Sequence, residues 1–305
     1  DANPALHFAR LYENYTDPRW RPGALQELKR TVVDSLNRGY NVAVHTGHGF
    51  RNVMSCGDDN LSNNDAAGLT NGNRLFNLYS IDCTSNAINF PSLGEAFMHS
   101  TGGGAVTNIG STEVDFPTTG RYVQQDYFRI VFHDSMTTIG RAFAEQKYVT
   151  TTNSVNDNVN RWTVMTLLLL GDPSLKIWTG RPRTLTVVAP ASITVADSEV
   201  TVQVSIAGVP LYGARVTLYR PDDDFSSGTT DGLGSITLPF RPDTLGTLTL
   251  TVTGYDCRPV QQTINILANA TRSAFDAQTP VLTDGGAAGT SGNVNGLFDA
   301  GEFGE

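Results

Sequence analysis

Two short stretches carry residue types that do covalent chemistry. In "NVAVHTGHGF", residues 41–50, an apolar run ends in His45-Thr46-Gly47-His48-Gly49; in "LYSIDC", residues 78–83, a second apolar run ends in Cys83. A free thiol is a weak nucleophile at neutral pH unless a neighbouring imidazole takes its proton or stabilises its thiolate. If both runs are neighbouring parallel strands, His48 and Cys83 emerge at the same sheet edge, and that edge is where open α/β sheets place their ligands. The amides of Gly49 and Cys83 are then placed to receive a carbonyl oxygen, each oxyanion donor being worth about 2.7–4 kcal/mol. Gly49 suits that role because no side chain covers its N–H. The arrangement is a Cys–His peptidase layout. A lone cysteine is more often a buried apolar residue, so on spacing alone both readings stand.

The elements that must position these residues are legible around them. Residues 40–44 form a run too short for a helix and bounded by glycines, which predicts a buried strand. Residues 22–39 predict an amphipathic helix with Leu25, Leu28, Val32 and Leu36 on one face and Gly39 as its stop. "RLFNLYSIDC" predicts a second strand and "GAVTNIGST" a third. Between them, "PSLGEAFMHSTGG" predicts a helix whose Ser92 and Glu95 are spaced as a capping box. Helices are expected over 120–133, 135–148 and 162–169, the last stopping at "GDPSLKIW", a turn into a final strand. Strand–helix alternation of this kind means a mostly parallel sheet covered by helices.

Near residue 180 the pattern changes. "TLTVV", "EVTVQVSI", "ARVTLY", "GSITLPF", "TLTLTVTGY" and "QQTINIL" are short alternating runs separated by turn residues. They predict an all-β, immunoglobulin-like sandwich. "RPDDDFSSGTTDGLG" within it is read as hairpin turns. Residues 269–305 are Gly-rich and read as a linker or the start of a further β module.

Composition narrows the function. The 305 residues carry a net charge of −9 and 17% charged residues. No basic cluster is present, which argues against nucleic acid as a partner. The longest apolar run, near "VMTLLLL", is far short of the roughly 20 residues a membrane-spanning helix needs. A polar but weakly charged mixture suits an exported protein. The chain starts at Asp1 and reads as a processed or trimmed piece. Three cysteines are too few for a disulfide scaffold.

The blocks "HTGHGF", "LYSIDCTSNAINFPSLGEAFMHSTGGGAVTNIGST" and "WTVMTLLLLGDPSLKIW" resemble the gingipain-type cysteine peptidases, a family grouped with the caspase-like peptidases. The resemblance covers ordered blocks over residues 39–178. It implies a caspase-like α/β domain over 1–180, followed by the immunoglobulin-like sandwich over 181–268. It implies His48 as general base, Cys83 as nucleophile, and Gly49 with the Cys83 amide as oxyanion hole. His45 falls where the family often has another residue and reads as a packed strand histidine. Glu113 and Asp115, in "STEVDFP", lie where a caspase-like fold builds its S1 pocket; a carboxylate there selects Arg or Lys at P1, and a solvated loop acid is the plainer reading. The family tends to have Ala before the cysteine, where this chain has Asp82, which either holds His48 or caps the strand end. The family also carries further strands ahead of this region, so the catalytic unit is expected to lack its N-terminal strands.

The implied function is an exported or cell-surface endopeptidase acting on polypeptides through a thioester. Within the same fold a transpeptidase is the alternative, and outside it a surface or assembly protein that keeps the fold as a scaffold. The partners expected are the missing N-terminal part or further β modules of the same precursor. The chemistry requires no cofactor. Calcium is a candidate loop stabiliser: Asn293, Asn295, Asp299 and Glu302 in "SGNVNGLFDAGE" form one oxygen-rich set, and Asp58, Asp59 and Asp65 another. Zinc on His45, His48 and Cys56 is a weak third option, because no second ligand pair follows.

Overall fold

The computed structural model describes residues 6–13 and 23–268. Strands β1 (Arg10–Tyr12) and β2 (Ala24–Gln26) pair in parallel ahead of helix α1 (Lys29–Arg38). The helix is therefore shorter than its periodicity predicts. Gly23 lies at φ +85° and the next three residues run extended against Arg10–Tyr12, leaving Leu25 exposed instead of on a helical face. Strand pairing from outside the window overrides local propensity here. The helix ends as expected, with Gly39 left-handed and its N–H on Leu36 O.

Strand β3 (Val42–Thr46) follows, then a small antiparallel sheet of β4 (Gly49–Phe50), β5 (Val53–Cys56) and β6 (Asp59–Ser62). Helix α2 (Asn63–Ala67) leads to β7 (Phe76–Ile81), every residue of which is buried. Helix α3 (Leu93–Met98) starts with both halves of the Ser92–Glu95 capping box in place. Then come β8 (Ala105–Ser111), α4 (Pro117–Phe132), α5 (Ile139–Ser154), α6 (Asn158–Thr166) and β9 (Leu167–Gly171).

The central sheet has the order β3-β7-β8-β9, parallel except for β9, which runs antiparallel along β8 from Thr107↔Gly171 to Ser111↔Leu167. The four leucines before Gly171 are thus a strand, not the end of a helix. A continuous apolar run has no period of its own, so an available sheet edge decides its state. The "GDPSLKIW" segment pairs only through an isolated bridge, Thr138↔Lys176, instead of forming the expected final strand. Two cores flank the sheet. One gathers Phe76, Leu78, Leu93 and Phe97 under α3; the other gathers Tyr79, Ile81, Tyr127 and Ile130 under α4.

After residue 180 the chain is all β: β10 (Thr186–Val188), β11 (Ser192–Thr194), β12 (Glu199–Ile206), β13 (Val209–Pro210), β14 (Arg215–Tyr219), β15 (Phe225–Thr229), β16 (Ser235–Pro239), β17 (Gly246–Thr253) and β18 (Val260–Leu267). One sheet is built on β12 with β10, β13 and β16; the other has the order β11-β18-β17-β14-β15. Val200, Val202 and Val204 alternate inward from β12 and share a core with Val216, Leu218, Leu250 and Ile264 of the other sheet. Two facing sheets over one core make a β-sandwich. β15 falls in the stretch read as hairpin turns; its Ser-Ser-Gly content hides an edge strand that pairs residue for residue with β14.

The two parts meet at one seam. Asn41 Nδ2 donates to Trp178 O at 2.6 Å, Thr179 N–H to Asp256 Oδ1 at 2.9 Å, and Arg183 N–H to Asp256 O at 2.8 Å.

Candidate active site

Register places the two chemical residues together. β3 and β7 pair from Val42↔Asn77 to Thr46↔Ile81, so His48 and Cys83 each stand two residues past the last pair. Gly47 N–H extends the ladder by donating to Ile81 O at 3.1 Å. Arg51 N–H then donates to Thr84 Oγ1 at 2.9 Å, tying the two turns again beyond the site.

The Cys83 turn is heavily braced. Thr84 sits at φ +58°, an uncommon conformation for a non-glycine residue. Its N–H donates to Glu113 O at 2.9 Å, Asn86 N–H to Ser111 O at 3.0 Å, and Gly94 N–H to Ser85 O at 2.9 Å. Buried Asn86 is the hub: its Oδ1 accepts from Asn108 Nδ2 at 2.9 Å and its Nδ2 donates to Leu168 O at 3.2 Å. Cys83 Sγ accepts from Asp115 N–H at 3.5 Å and stays partly exposed. Cys56 and Cys257 are buried thiols, and burial pushes Cys56 up to about 12.

His48 lies exposed on the turn between β3 and β4, fixed through its backbone: its N–H donates to Ser55 Oγ at 3.0 Å, and its carbonyl accepts from Ser55 N–H at 2.8 Å. Gly49 follows against the other strand end. A β-carbon at this position would stand 2.7 Å from Asp82 Oδ2 and 2.8 Å from Asp82 Cβ. Only glycine allows that approach, a signal absent from a sequence reading that considered the amide alone.

Asp82 does not reach for His48. Its Oδ1 accepts from Ser85 Oγ, and its Oδ2 stands 3.6 Å from His45 Nδ1, buried and without a hydrogen-bond donor. His45 is more than packing: Nδ1 meets Ser80 Oγ at 2.9 Å and Nε2 meets Ser55 O at 3.2 Å. A carbonyl facing Nε2 requires a proton there, leaving Nδ1 as acceptor for the serine hydroxyl. Burial lowers the His45 pKa to about 4 and raises that of Asp82 to about 6.

These shifts act on stability in opposite senses. The depressed His45 contributes stability that is present above pH 6.5 and lost as pH falls through about 4. The raised Asp82 contributes stability present below its unfolded value and lost as pH rises through about 6. His45→Gln should therefore remove the acid-side loss: urea midpoints at pH 6.5, 5 and 4 should fall less in the variant than in wild type.

Of the expected S1 residues, Glu113 is exposed and its backbone braces Thr84. Asp115 is buried: its Oδ1 accepts from Phe116 N–H at 2.7 Å at the start of α4, and its Oδ2 faces Gly120 without a donor. Burial, then the nearby Asp82 charge, raises its pKa. Between them Val114 is exposed and accepts from Trp162 Nε1 at 2.7 Å, so Val114, Phe116, Trp162 and Met165 give this side an apolar rim. On the other side the Arg51 guanidinium lies 3.5 Å from the Phe90 ring centroid and 4.9 Å from that of Phe50. Neither feature was legible beforehand, since each joins residues far apart in the chain.

Among the described residues, no group of three or more His, Cys, Asp or Glu side chains is arranged to hold a metal. The acids of the 58–65 loop are served by Lys29: its Nζ lies 3.3 Å from Asp59 and 3.0 Å from Asp65, and its N–H donates to Asp58. Asn293, Asn295, Asp299 and Glu302 lie outside the described residues. No helix among the described residues is long and apolar enough to cross a membrane.

Comparison with known proteins was made on this geometry. The family profile described as peptidase family C25 matches residues 1–178. Gingipain R1 of Porphyromonas gingivalis is 28% identical over 253 residues, covering 77% of this chain and 24% of that protein. Gingipain R2 of the same organism is 28% identical over 246 residues, covering 74% of this chain and 31% of that protein. The chain thus spans a quarter to a third of these two relatives. Among solved structures, the Arg-specific cysteine proteinase gingipain R superposes with a TM-score of 0.62 at 23% identity, over 81% of this chain and 57% of that one. A complex of the P. gingivalis RgpB pro- and mature domains gives 0.60 at 22% identity, over 80% and 59%. The α/β part shares this caspase-like fold.

Proposed function

Because the chain belongs to peptidase family C25, we propose that it is a cysteine endopeptidase working through His48 and Cys83. The observation that carries this reading is the common register, which brings both residues out two positions beyond the Thr46–Ile81 pair. Cys83 thiolate attacks the scissile carbonyl, and the Gly49 and Cys83 amides receive the oxyanion. His48 protonates the leaving amine as the thioester forms, then takes a proton from the water that hydrolyses it. Glu113 and Asp115 supply the acidic character that favours Arg or Lys at P1, in line with the Arg specificity named for gingipain R.

The domain reading goes with it. Residues 1–180 form the peptidase unit, 181–268 an immunoglobulin-like sandwich, and 269–305 the start of a further module or linker. Among the described residues β3 is paired on one side only, and Val44 on it is exposed. Preceding strands of the precursor are the natural cover for that edge, as the pro- and mature-domain pairing of a relative suggests. The setting is extracellular or cell surface, as for a secreted peptidase. No cofactor enters the reaction, and calcium remains a proposed loop stabiliser.

The test is labelling with peptidyl acyloxymethyl ketones carrying Arg, Lys, Asp or Asn at P1. Wild type should label with the basic probes, Cys83→Ala and His48→Ala should not, and Glu113→Gln should weaken the Arg probe selectively. Absence of labelling by every probe in folded protein would move the assignment to a scaffold. Product capture by an added amine, in place of hydrolysis, would mark a transpeptidase.

A further inference from the structure

We propose that His45 and Asp82 form a buried positioning pair that holds the Gly49 amide and the Cys83 thiol in register, and that the charge state of this pair sets the ionisation of the thiol separately from His48. The role in catalysis rests on the peptidase reading above; the effect on the thiol does not.

Three independent contacts carry the inference. The Asp82 carboxyl lies against Gly49, whose missing side chain is what admits it. Its Oδ2 is buried, lacks a donor and faces His45 Nδ1 at 3.6 Å, while Ser85 holds the other oxygen. His45 in turn is anchored on Ser80 of β7 and on the Ser55 carbonyl of β5, the same residue whose hydroxyl and amide fix the His48 backbone. One chain of contacts therefore runs from the His48 turn through Ser55, His45 and Asp82 to Cys83. The titrating groups around Asp82 are His45 on β3, Asp115 on the β8–α4 connection and Cys83 itself; Ser80, Ser85 and the Gly49 Cα complete its surroundings.

With Asp82 protonated, its O–H is the donor that His45 Nδ1 lacks from a carboxylate, and the pair closes as a neutral hydrogen bond. With Asp82 ionised, a carboxylate faces a lone pair and adds a negative charge beside the thiol, which disfavours the thiolate. Burial puts this change near pH 6. Two amino acids 37 positions apart (82 minus 45) thereby couple the turn that carries the base to the turn that carries the nucleophile.

The experiment measures two quantities on the full chain from pH 4.5 to 8: the iodoacetamide alkylation rate of Cys83, and kcat and KM on a P1-Arg peptide. Cys56 and Cys257 are buried, so native alkylation reports on Cys83. Wild type should show a shoulder near pH 6 in the alkylation profile that persists in His48→Ala. Asp82→Asn, which keeps the carboxyl's shape, should remove the shoulder and leave a single thiol ionisation. It should also lower kcat by about 10–100-fold with KM within about twofold. Ser80→Ala, a change of one oxygen, should shift the profile in the same direction by less, and serves if His45→Gln or Asp82→Asn folds poorly by near-UV circular dichroism. Profiles of Asp82→Asn and Ser80→Ala that superimpose on wild type would overturn the pair. An Asp82-dependent shoulder without any hydrolysis would uphold the pair and overturn the peptidase reading instead.

Discussion

Alanine at Cys83 is expected to abolish peptide hydrolysis, and alanine at His48 to lower kcat about 10²–10⁴-fold, the usual range for losing a positioned general base. The choice of residues is forced by environment. Cys83 is the partly exposed thiol of the three; Cys56 and Cys257 are buried, and Cys56 is held as a thiol by burial. Of the two histidines at the β3 end, His45 has both ring nitrogens engaged and is kept neutral by burial. His48 is exposed, and among the described residues its ring has no hydrogen-bond partner. The carboxylate next to Cys83 is paired with His45, so His48 works as one half of a dyad instead of the centre of a triad. Steady-state kinetics on a P1-Arg peptide decide it; wild-type turnover in either alanine variant would remove the dyad.

The second large effect is structural. Gly94→Ala should destabilise the α/β part by about 2–4 kcal/mol and take activity down with it. A β-carbon at residue 94 would stand 2.0 Å from Asn86 Oδ1 and 2.6 Å from Asn108 Nδ2, both buried. Neither amide can retreat without breaking the bond between them, and Asn86 is what fastens the Cys83 turn to β8 and β9. Chemical denaturation checks the loss, with Gly232→Ala as control. Residue 232 has open space around its Cα, so alanine there should stay within about 0.5 kcal/mol of wild type. Equal midpoints for the two variants would show that the amide hub carries little.

What could be read without coordinates follows from how local each signal is. His48 and Cys83 were legible because an apolar run followed by a reactive residue marks a strand end, and parallel neighbours share that end. The Ser92–Glu95 box was legible because both partners lie within one helical turn. Residues 24–26 and 167–171 were misread because their state is set by a partner strand elsewhere in the chain. His45 and Asp82 looked like a packed histidine and a strand cap for the same reason. Each is polar and ambiguous alone, and only the fold brings the two to 3.6 Å.

The isolation of Cys83 from the other two thiols bears on how this protein meets oxidants. A partly exposed cysteine that forms a sulfenic acid is rescued when a nearby resolving thiol condenses with it to a disulfide. Here Cys56 and Cys257 are sealed in the cores of the α/β part and the sandwich, respectively, so no such internal rescue is built in. Repair would fall to a small thiol from outside, and without it oxidation would run on toward the irreversible sulfinic state. For an exported enzyme, the supply of external reductant would then act as an on-switch, and peroxide as a one-way off-switch.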